Sequence, residues 1–399
     1  MDSSIKEVFD LVLRWMHVIA GIMWVGNSML FNWLDRNLEK VEGRRKEHVG
    51  RIWLLHSGAF YDVEKTMLAP GEMPPVLHWF KWQSYTTWMT GMALLVLVYY
   101  MGDGAMLVDA QSGISADAAV DLGIVTVVGS YCFYELTWRA LGKRSERLAQ
   151  ALSLAGLVVL VWWTTHTFAG RAAYLHVGAI LGTCMAGNVF LHIVPSQHEL
   201  VKATNEGRVQ DPALSLRAKQ RSIHNNYMTF PLIVLMVSNH FPTSYGNKHS
   251  ALVLLFLIVI GASVRHVLNI RFQFPSWIPA LASVLATGVI GLGIFFGAFD
   301  RSGEHADAVH EPVAYSRVEM VMQERCVPCH SQTPSDDTYR TAPKGVMFDR
   351  PAQVKAYVQQ IKTFAVVSRT MPQGNKTHMT EDERKLLADW IMGGAQVDK

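Results

Sequence analysis

The chain has 399 residues, half of them hydrophobic and only 17% charged, with a mean hydropathy of +0.15, which is a membrane composition. A formal charge of +3, with no basic run interleaved with aromatics, excludes a nucleic-acid groove. Of four cysteines, Cys132 and Cys184 fall in apolar stretches as small hydrophobes, so only Cys326 and Cys329 carry chemistry.

Eight apolar segments approach the roughly 20 residues a helix needs to cross about 30 Å of hydrocarbon. They run over 9–34, 83–101, 119–138, 149–168, 172–194, 226–241, 250–269 and 277–299, the sixth being short and opened by Tyr227 and Pro231. Lipid offers no partner to backbone groups, and continuous apolar runs of this length exclude strands. The predicted fold class is therefore all-α, with an eight-helix transmembrane bundle over 1–299. The first apolar run is too long for a cleavable signal peptide and lacks a small-residue cleavage site.

Basic residues concentrate in cytoplasmic connections. Connection one holds Arg36, Lys40, Arg44, Arg45, Lys46 and Arg51, connection three Arg139, Lys143, Arg144 and Arg147, and connection five Lys202, Arg208, Arg217, Lys219 and Arg221. Connection two has no Lys or Arg, connection four only Arg171 and connection six only Lys248. Both termini are thus expected in the periplasm.

Between the first two spans, His56 to Tyr85 reads as a proline-broken loop with Asp62, Glu64, Lys65, His78, Trp79, Lys81 and Trp82. The alternative is an aromatic belt with a basic anchor. Polar residues inside spans are costly and mark function by default. His17, His166 and His176 fall toward the periplasm; Asn27, Asn188, His192, His266 and Asn269 fall toward the cytoplasm. Asn188 and His192 share a helix face, as do His266 and Asn269. Two of His17, His166 and His176 are candidate ligands of a b-type haem; the alternative is hydrogen bonding to neighbouring helices.

A polar linker over 300–313 leads to a small C-terminal domain over 314–399, expected in the periplasm. Helices are predicted over 314–325 and 380–395, the second with Thr380 and Glu383 spaced as a capping box and Leu386, Leu387, Trp390 and Ile391 on one face. Between them stands Cys326-Val-Pro-Cys329-His330. Two cysteines two residues apart, followed by histidine, are the attachment pattern of a c-type haem: the thiols add to the vinyl groups and the imidazole is placed to bind iron. A zinc site would need two more Cys or His ligands at matching spacing, and none follow; a structural disulfide is the other alternative. Met371, presented by Pro372, is the candidate sixth ligand, with Met379 as competitor.

The segment 314–399 resembles a class I cytochrome c domain. Met73-Pro-Pro-Val-Leu-His-Trp-Phe-Lys-Trp82 and Tyr85-x-Thr-Trp88-x-Thr-Gly91 resemble the urate oxidase N-terminal domain family. Together, eight helices and a cytochrome c tail are similar to the bacterial membrane-bound urate hydroxylases. That resemblance implies an inner-membrane oxidoreductase that oxidises urate at C5 to 5-hydroxyisourate. Electrons would leave through haem c to a respiratory acceptor such as a terminal oxidase or a soluble cytochrome c.

Urate is a planar anion rich in donors and acceptors, so the inner polar layer and the 56–85 loop are its expected pocket, with His192, Asn188, Lys65 and Glu64 as candidate catalytic residues. The alternative is that these Asn and His residues only cross-link helices. Two rival functions are a quinol to cytochrome c oxidoreductase and a membrane anchor carrying an electron-transfer head.

Overall fold

The computed structural model describes residues 3–40, 48–66, 68–69, 71–101, 106–108, 112–297 and 313–397. Among the described residues, ten α-helices build the N-terminal part: α1 (Ser3–Asn37), α2 (Lys81–Leu95), α3 (Ala116–Leu141), α4 (Glu146–Thr167), α5 (Gly170–Asn188), α6 (Val194–Asn205), α7 (Pro212–Val237), the short α8 (Pro242–Tyr245), α9 (Ser250–Ile270) and α10 (Trp277–Phe295). Short polar residues set several starts. The Ser115 and Ser145 hydroxyls accept the Ala118 and Leu148 amides at 3.3 Å, and the Asp211 carboxylate accepts the Ala213 amide at 2.9 Å, with Pro212 at the first helical position.

Helix α5 is the centre of the bundle. It packs against α2, α3, α4 and α7, while the α1–α2 pair forms one flank and α9–α10 the other. Its Ala172, Ala173, Tyr174 and Val177 are fully buried. Small residues let the neighbours approach: a Cβ on Gly261 of α9 would lie 3.0 Å from the Pro231 nitrogen of α7.

Among the described residues, six helices are long and apolar enough to cross a membrane: Ser4–Asn37, Ala116–Leu141, Glu146–Thr167, Gly170–Asn205, Ser250–Ile270 and Trp277–Phe295. They are consistent with a membrane protein. The expected spans at 83–101 and 226–241 fall short for different reasons. Helix α2 gives way to a π turn at Val96–Tyr100, and α7 begins far upstream at Pro212, so its first half carries Arg217, Lys219, Arg221, His224, Asn225 and Asn226. Arg221, assigned by the charge pattern to a cytoplasmic connection, is instead a buried residue of this helix.

The all-α expectation fails between α1 and α2. There β1 (His48–His56) and β2 (Ala59–Thr66) form an antiparallel hairpin. Ser57 and Gly58, both at positive φ, make the two-residue turn, and the flanking residues are rich in aromatic and β-branched side chains. Arg51 pairs with Asp62 across the strands. Of the basic residues expected in this connection, Arg44, Arg45 and Lys46 lie outside the described residues.

The C-terminal part has its own core, where Val318 and Met322 of α11 (Tyr315–Arg325) meet Leu387 and Trp390 of α14 (Glu381–Met392), with Met379 and Phe348 between. Thr380 and Glu383 bond reciprocally, the Glu383 amide to the Thr380 hydroxyl at 3.3 Å and the Thr380 amide to the carboxylate at 2.7 Å. Two short helices, α12 (Pro351–Ala356) and α13 (Val358–Ile361), run into a π turn at Lys362–Val367 that rests on α8. The seat is tight, since a Cβ on Gly246 would lie 2.3 Å from the Ser368 carbonyl oxygen. The linker expected at 300–313 lies outside the described residues except for Val313.

Candidate functional site

A buried polar cluster joins α3, α5 and α7. Its hub is Glu135. The carboxylate accepts His192 Nε2 at 2.9 and 3.1 Å, Arg221 Nη2 at 2.9 Å and Arg139 Nε at 2.5 Å. Beside it, Asn188 Nδ2 donates to the Tyr134 hydroxyl at 2.9 Å and to Asn225 Oδ1 at 2.8 Å, and Asn225 Nδ2 donates to the Met185 carbonyl at 3.0 Å. The Tyr134 hydroxyl also meets His224 Nδ1 at 2.8 Å, and the Arg221 guanidinium lies over the Tyr134 ring at 5.1 Å. Glu135, Asn188, His192, Arg221 and Asn225 are each no more than 8% exposed.

Two members of this cluster are incomplete. Arg221 Nη1 and the Tyr131 hydroxyl are buried with no hydrogen-bond partner. Tyr131 and Glu135 are four residues apart on α3 and so share a face, and Arg221 is bound to Glu135. Buried polar groups are nearly always satisfied, so these two unpaired donors beside one carboxylate are the candidate contacts for a ligand's acceptors. Two guanidinium groups against one carboxylate leave a positive charge, which suits an anion.

Local chemistry explains the shape of α5 here. Between Asn188 and α6 the helix widens into a π turn, Val189–Ile193, which carries His192. Pro195 follows, and its ring clashes with the carbonyl four residues back, at Leu191; a widened turn relieves that clash. The same turn presents Phe190 to Tyr85, stacked at 4.1 Å between centroids.

The expected partners from the 56–85 stretch lie elsewhere. Lys65 and Glu64 are exposed residues of β2. Lys65 Nζ pairs with Asp35 Oδ1 of α1 at 2.6 Å, and Glu64 stands opposite Arg51 in the hairpin. The following segment folds over α6, where the Gly71 amide donates to the Thr204 carbonyl at 2.8 Å and Trp79 stacks on His198 at 4.6 Å.

The three outer histidines go to separate places. His17 Nδ1 meets the Thr87 carbonyl at 2.9 Å and packs on Gly91, where a Cβ would lie 2.8 Å from its ring. His166 is exposed, with Nδ1 on the Trp162 carbonyl at 2.7 Å. His176 is fully buried and both nitrogens are engaged, Nδ1 with the Ala172 carbonyl at 2.8 Å and Nε2 with the Tyr100 hydroxyl at 2.9 Å. Of the other inner-layer residues, Asn27 bonds Gln83 at 2.6 Å, and His266 bonds Tyr227 and Asn269 bonds Asn226, both between α9 and α7.

In the C-terminal part, one turn gathers the motif: the Cys329 and His330 amides donate to the Cys326 carbonyl at 3.2 and 2.9 Å. His330 Nδ1 lies 3.0 Å from the Val346 carbonyl. That contact requires Nδ1–H and leaves the lone pair on Nε2. Burial pushes the Cys326 thiol up to about 12 and the Cys329 thiol, beside Asp336, up to about 11, so both are neutral thiols at ordinary pH. Met371 is 37% exposed and Met379 only 2%. Met379 is held in the core by its amide on Asn375 Oδ1 at 3.0 Å, whereas Met371 lies outside that core. Two thiols and an imidazole in one turn, with a thioether elsewhere in the same part, are the donor types a covalently attached haem would need.

A family model described as urate oxidase N-terminal matches residues 3–293. The chain belongs to the urate oxidase N-terminal family. This family region takes in the hairpin, all ten bundle helices to within two residues of the end of α10, and the Glu135 cluster, and it stops before the Cys326 motif. No curated protein and no solved structure matches the chain.

Within the family region, sequence reasoning found Asn188 and His192 and missed Glu135, Tyr131, Tyr134, His224 and Asn225. Glu135 was the available signal, an acid inside the third apolar run, three residues from its end. His224 and Asn225 carried a weaker one, standing just before the start assigned to the sixth span.

Proposed function

We propose that the protein oxidises urate in the Glu135 cluster of its helical bundle and passes the electrons to a haem c held by Cys326, Cys329, His330 and Met371. Family membership supports a urate-related function, and one observation carries the site: the paired unsatisfied donors, Arg221 Nη1 and the Tyr131 hydroxyl, beside a carboxylate that is over-compensated by positive charge.

Urate would accept from these two donors through its carbonyl and anionic oxygens, with the urate charge offsetting the surplus guanidinium. His192 donates Nε2–H to Glu135, which fixes the lone pair of the neutral ring on Nδ1. That nitrogen is the general base for the water that adds at C5, in the manner of a carboxylate-oriented histidine. The balance is urate plus water giving 5-hydroxyisourate, two protons and two electrons. Asn188, anchored to Tyr134 and Asn225, orients the site and takes no proton. When bound, the haem supplies a one-electron acceptor.

The cluster and the head lie toward opposite ends of α5. At the head end, the Tyr174 hydroxyl donates to the Ser244 and Ser250 carbonyls at 3.1 and 2.7 Å, bracketing the α8 segment on which the head rests. Asn188 is fourteen residues further on, about 21 Å along the helix, so electrons cross much of the bundle. This reading uses one haem and gives His17, His166 and His176 no ligand role. The protein belongs in a bacterial inner membrane with the head in the periplasm, delivering electrons to a terminal oxidase or a soluble cytochrome c.

Adding urate without oxygen to the purified, oxidised protein tests this directly. Rapid reduction of the haem c α-band is expected. Reduction by quinol but not by urate would sink the urate reading in favour of a quinol oxidoreductase, and reduction by neither would leave an electron-transfer head on an inert anchor.

A further inference from the structure

A second buried guanidinium stands outside the urate site. Arg265 of α9 is 3% exposed. Its Nε donates to Asn226 Oδ1 at 3.0 Å, and Asn269 Nδ2 donates to the same oxygen at 2.6 Å. The guanidinium lies over the Phe230 ring at 5.3 Å, and Nη2 is buried with no partner.

Arg221 has Glu135. Arg265 pairs with no carboxylate among the described residues, and the guanidinium charges that act on it, Arg36 and Arg271, are positive. A guanidinium does not shed its proton in a protein, so a buried charge with two like neighbours and no counter-ion is unfavourable until an anion joins it. We infer that Arg265, with Arg36 and Arg271, forms an oxyanion site between α7 and α9 that takes the phosphate of an anionic phospholipid.

Three features favour a lipid as the source of that phosphate. Ile223, one turn from Asn226 and Tyr227 on the same face of α7, is 48% exposed. Phe272, one turn beyond Asn269, is 43% exposed and lies under the Arg271 guanidinium at 4.6 Å. The site therefore borders exposed apolar side chains suited to acyl chains. Arg36 and Arg271 also stand at the ends of α1 and α9, and the charge pattern assigns the connection that holds Arg36 to the cytoplasmic side, where anionic lipids attract arginine. A guanidinium can bind phosphate through two parallel hydrogen bonds. Free phosphate shares that chemistry. The inference is independent of the urate reading.

The test uses the full chain, delipidated in a neutral detergent, with the thermal midpoint of unfolding as readout. Mixed micelles of phosphatidylglycerol should raise the midpoint above that in phosphatidylcholine, and Arg265→Gln should abolish the difference while Arg265→Lys keeps part of it. Should Arg265→Gln fail to fold, the Arg36→Gln/Arg271→Gln pair decides, because it leaves the buried residue in place and should at least halve the shift. An equal rise with inorganic phosphate alone, lost in the same variants, upholds the oxyanion site and makes free phosphate its source. A phosphatidylglycerol shift unchanged in these variants, or no rise with either probe, overturns the site.

Discussion

Arg221 and Glu135, 86 residues apart in the chain, meet through Nη2 and Oε2 at 2.9 Å with both side chains nearly sealed from solvent. Around this pair the bundle gathers residues from three helices, and it leaves the other Nη of Arg221 without a partner. An ion pair so placed rewards completion and penalises the loss of one partner, because removing one charge strands the other in a low dielectric.

Glu135→Gln should therefore lower stability by about 3 kcal/mol or more, in the range for breaking one side of a buried pair. Arg221→Gln should cost a similar amount. The double variant should cost less than the two together, with a coupling of about 1–3 kcal/mol. Chemical denaturation in detergent, run as a double-mutant cycle, measures it; additive losses would show that the two side chains do not act as a unit.

His192→Gln keeps a hydrogen-bonding side chain but removes the proposed base. Urate turnover should fall by about 10²–10⁴-fold with little change in apparent affinity. Asn188→Ala should lower turnover less, since it disorders Tyr134 and Asn225 without removing a reacting group. Steady-state kinetics on both variants distinguishes the roles, and unchanged turnover in the two would remove the cluster as the site.

Met371 and Met379 should separate cleanly. Met371→Ala ought to shift the haem spectrum and lower its reduction potential, because the thioether ligand raises it, while the head remains as stable as before to within about 0.5 kcal/mol, as for an exposed position. Met379→Ala should cost the head about 2–5 kcal/mol through loss of buried volume and leave the iron ligation intact. Optical titration and thermal melting of the two variants read both effects.

Acid should loosen the head through Glu383. Burial pushes this carboxyl up, but Arg325 at 2.9 Å and the Thr380 amide outweigh it and hold it below the ordinary carboxylate range. Its folded value lies below the unfolded value of about 4.3. The stabilisation is thus complete above that pH and is lost as pH falls through the depressed value. Glu383→Gln should flatten the acid limb of stability against pH, and circular dichroism of the full chain across pH 3–6 shows whether it does.

Long apolar runs announced most of the bundle, because in lipid each spanning segment must satisfy its own backbone bonds and so carries its signal locally. The head's capping box and the Cys326-to-His330 turn were equally local, written in spacings of two to four residues. The hairpin at 48–66 was local as well, in the Ser57-Gly58 turn between β-forming runs, but it was read as loop because it interrupts an otherwise helical chain. Asn188 and His192 were legible as intramembrane polar residues four apart.

What the sequence could not decide was company. Nothing in the spacing of Glu135, His192 and Arg221 says that three helices bring them together, and Arg221 read as an ordinary basic residue of a cytoplasmic connection. Lys65 and Glu64, next to aromatic loop residues in the chain, went to an exposed hairpin. Pairing across tens of residues depends on which helix faces pack, a property of the assembled bundle, and packing alone left Arg221 and Arg265 each with an unpaired buried nitrogen.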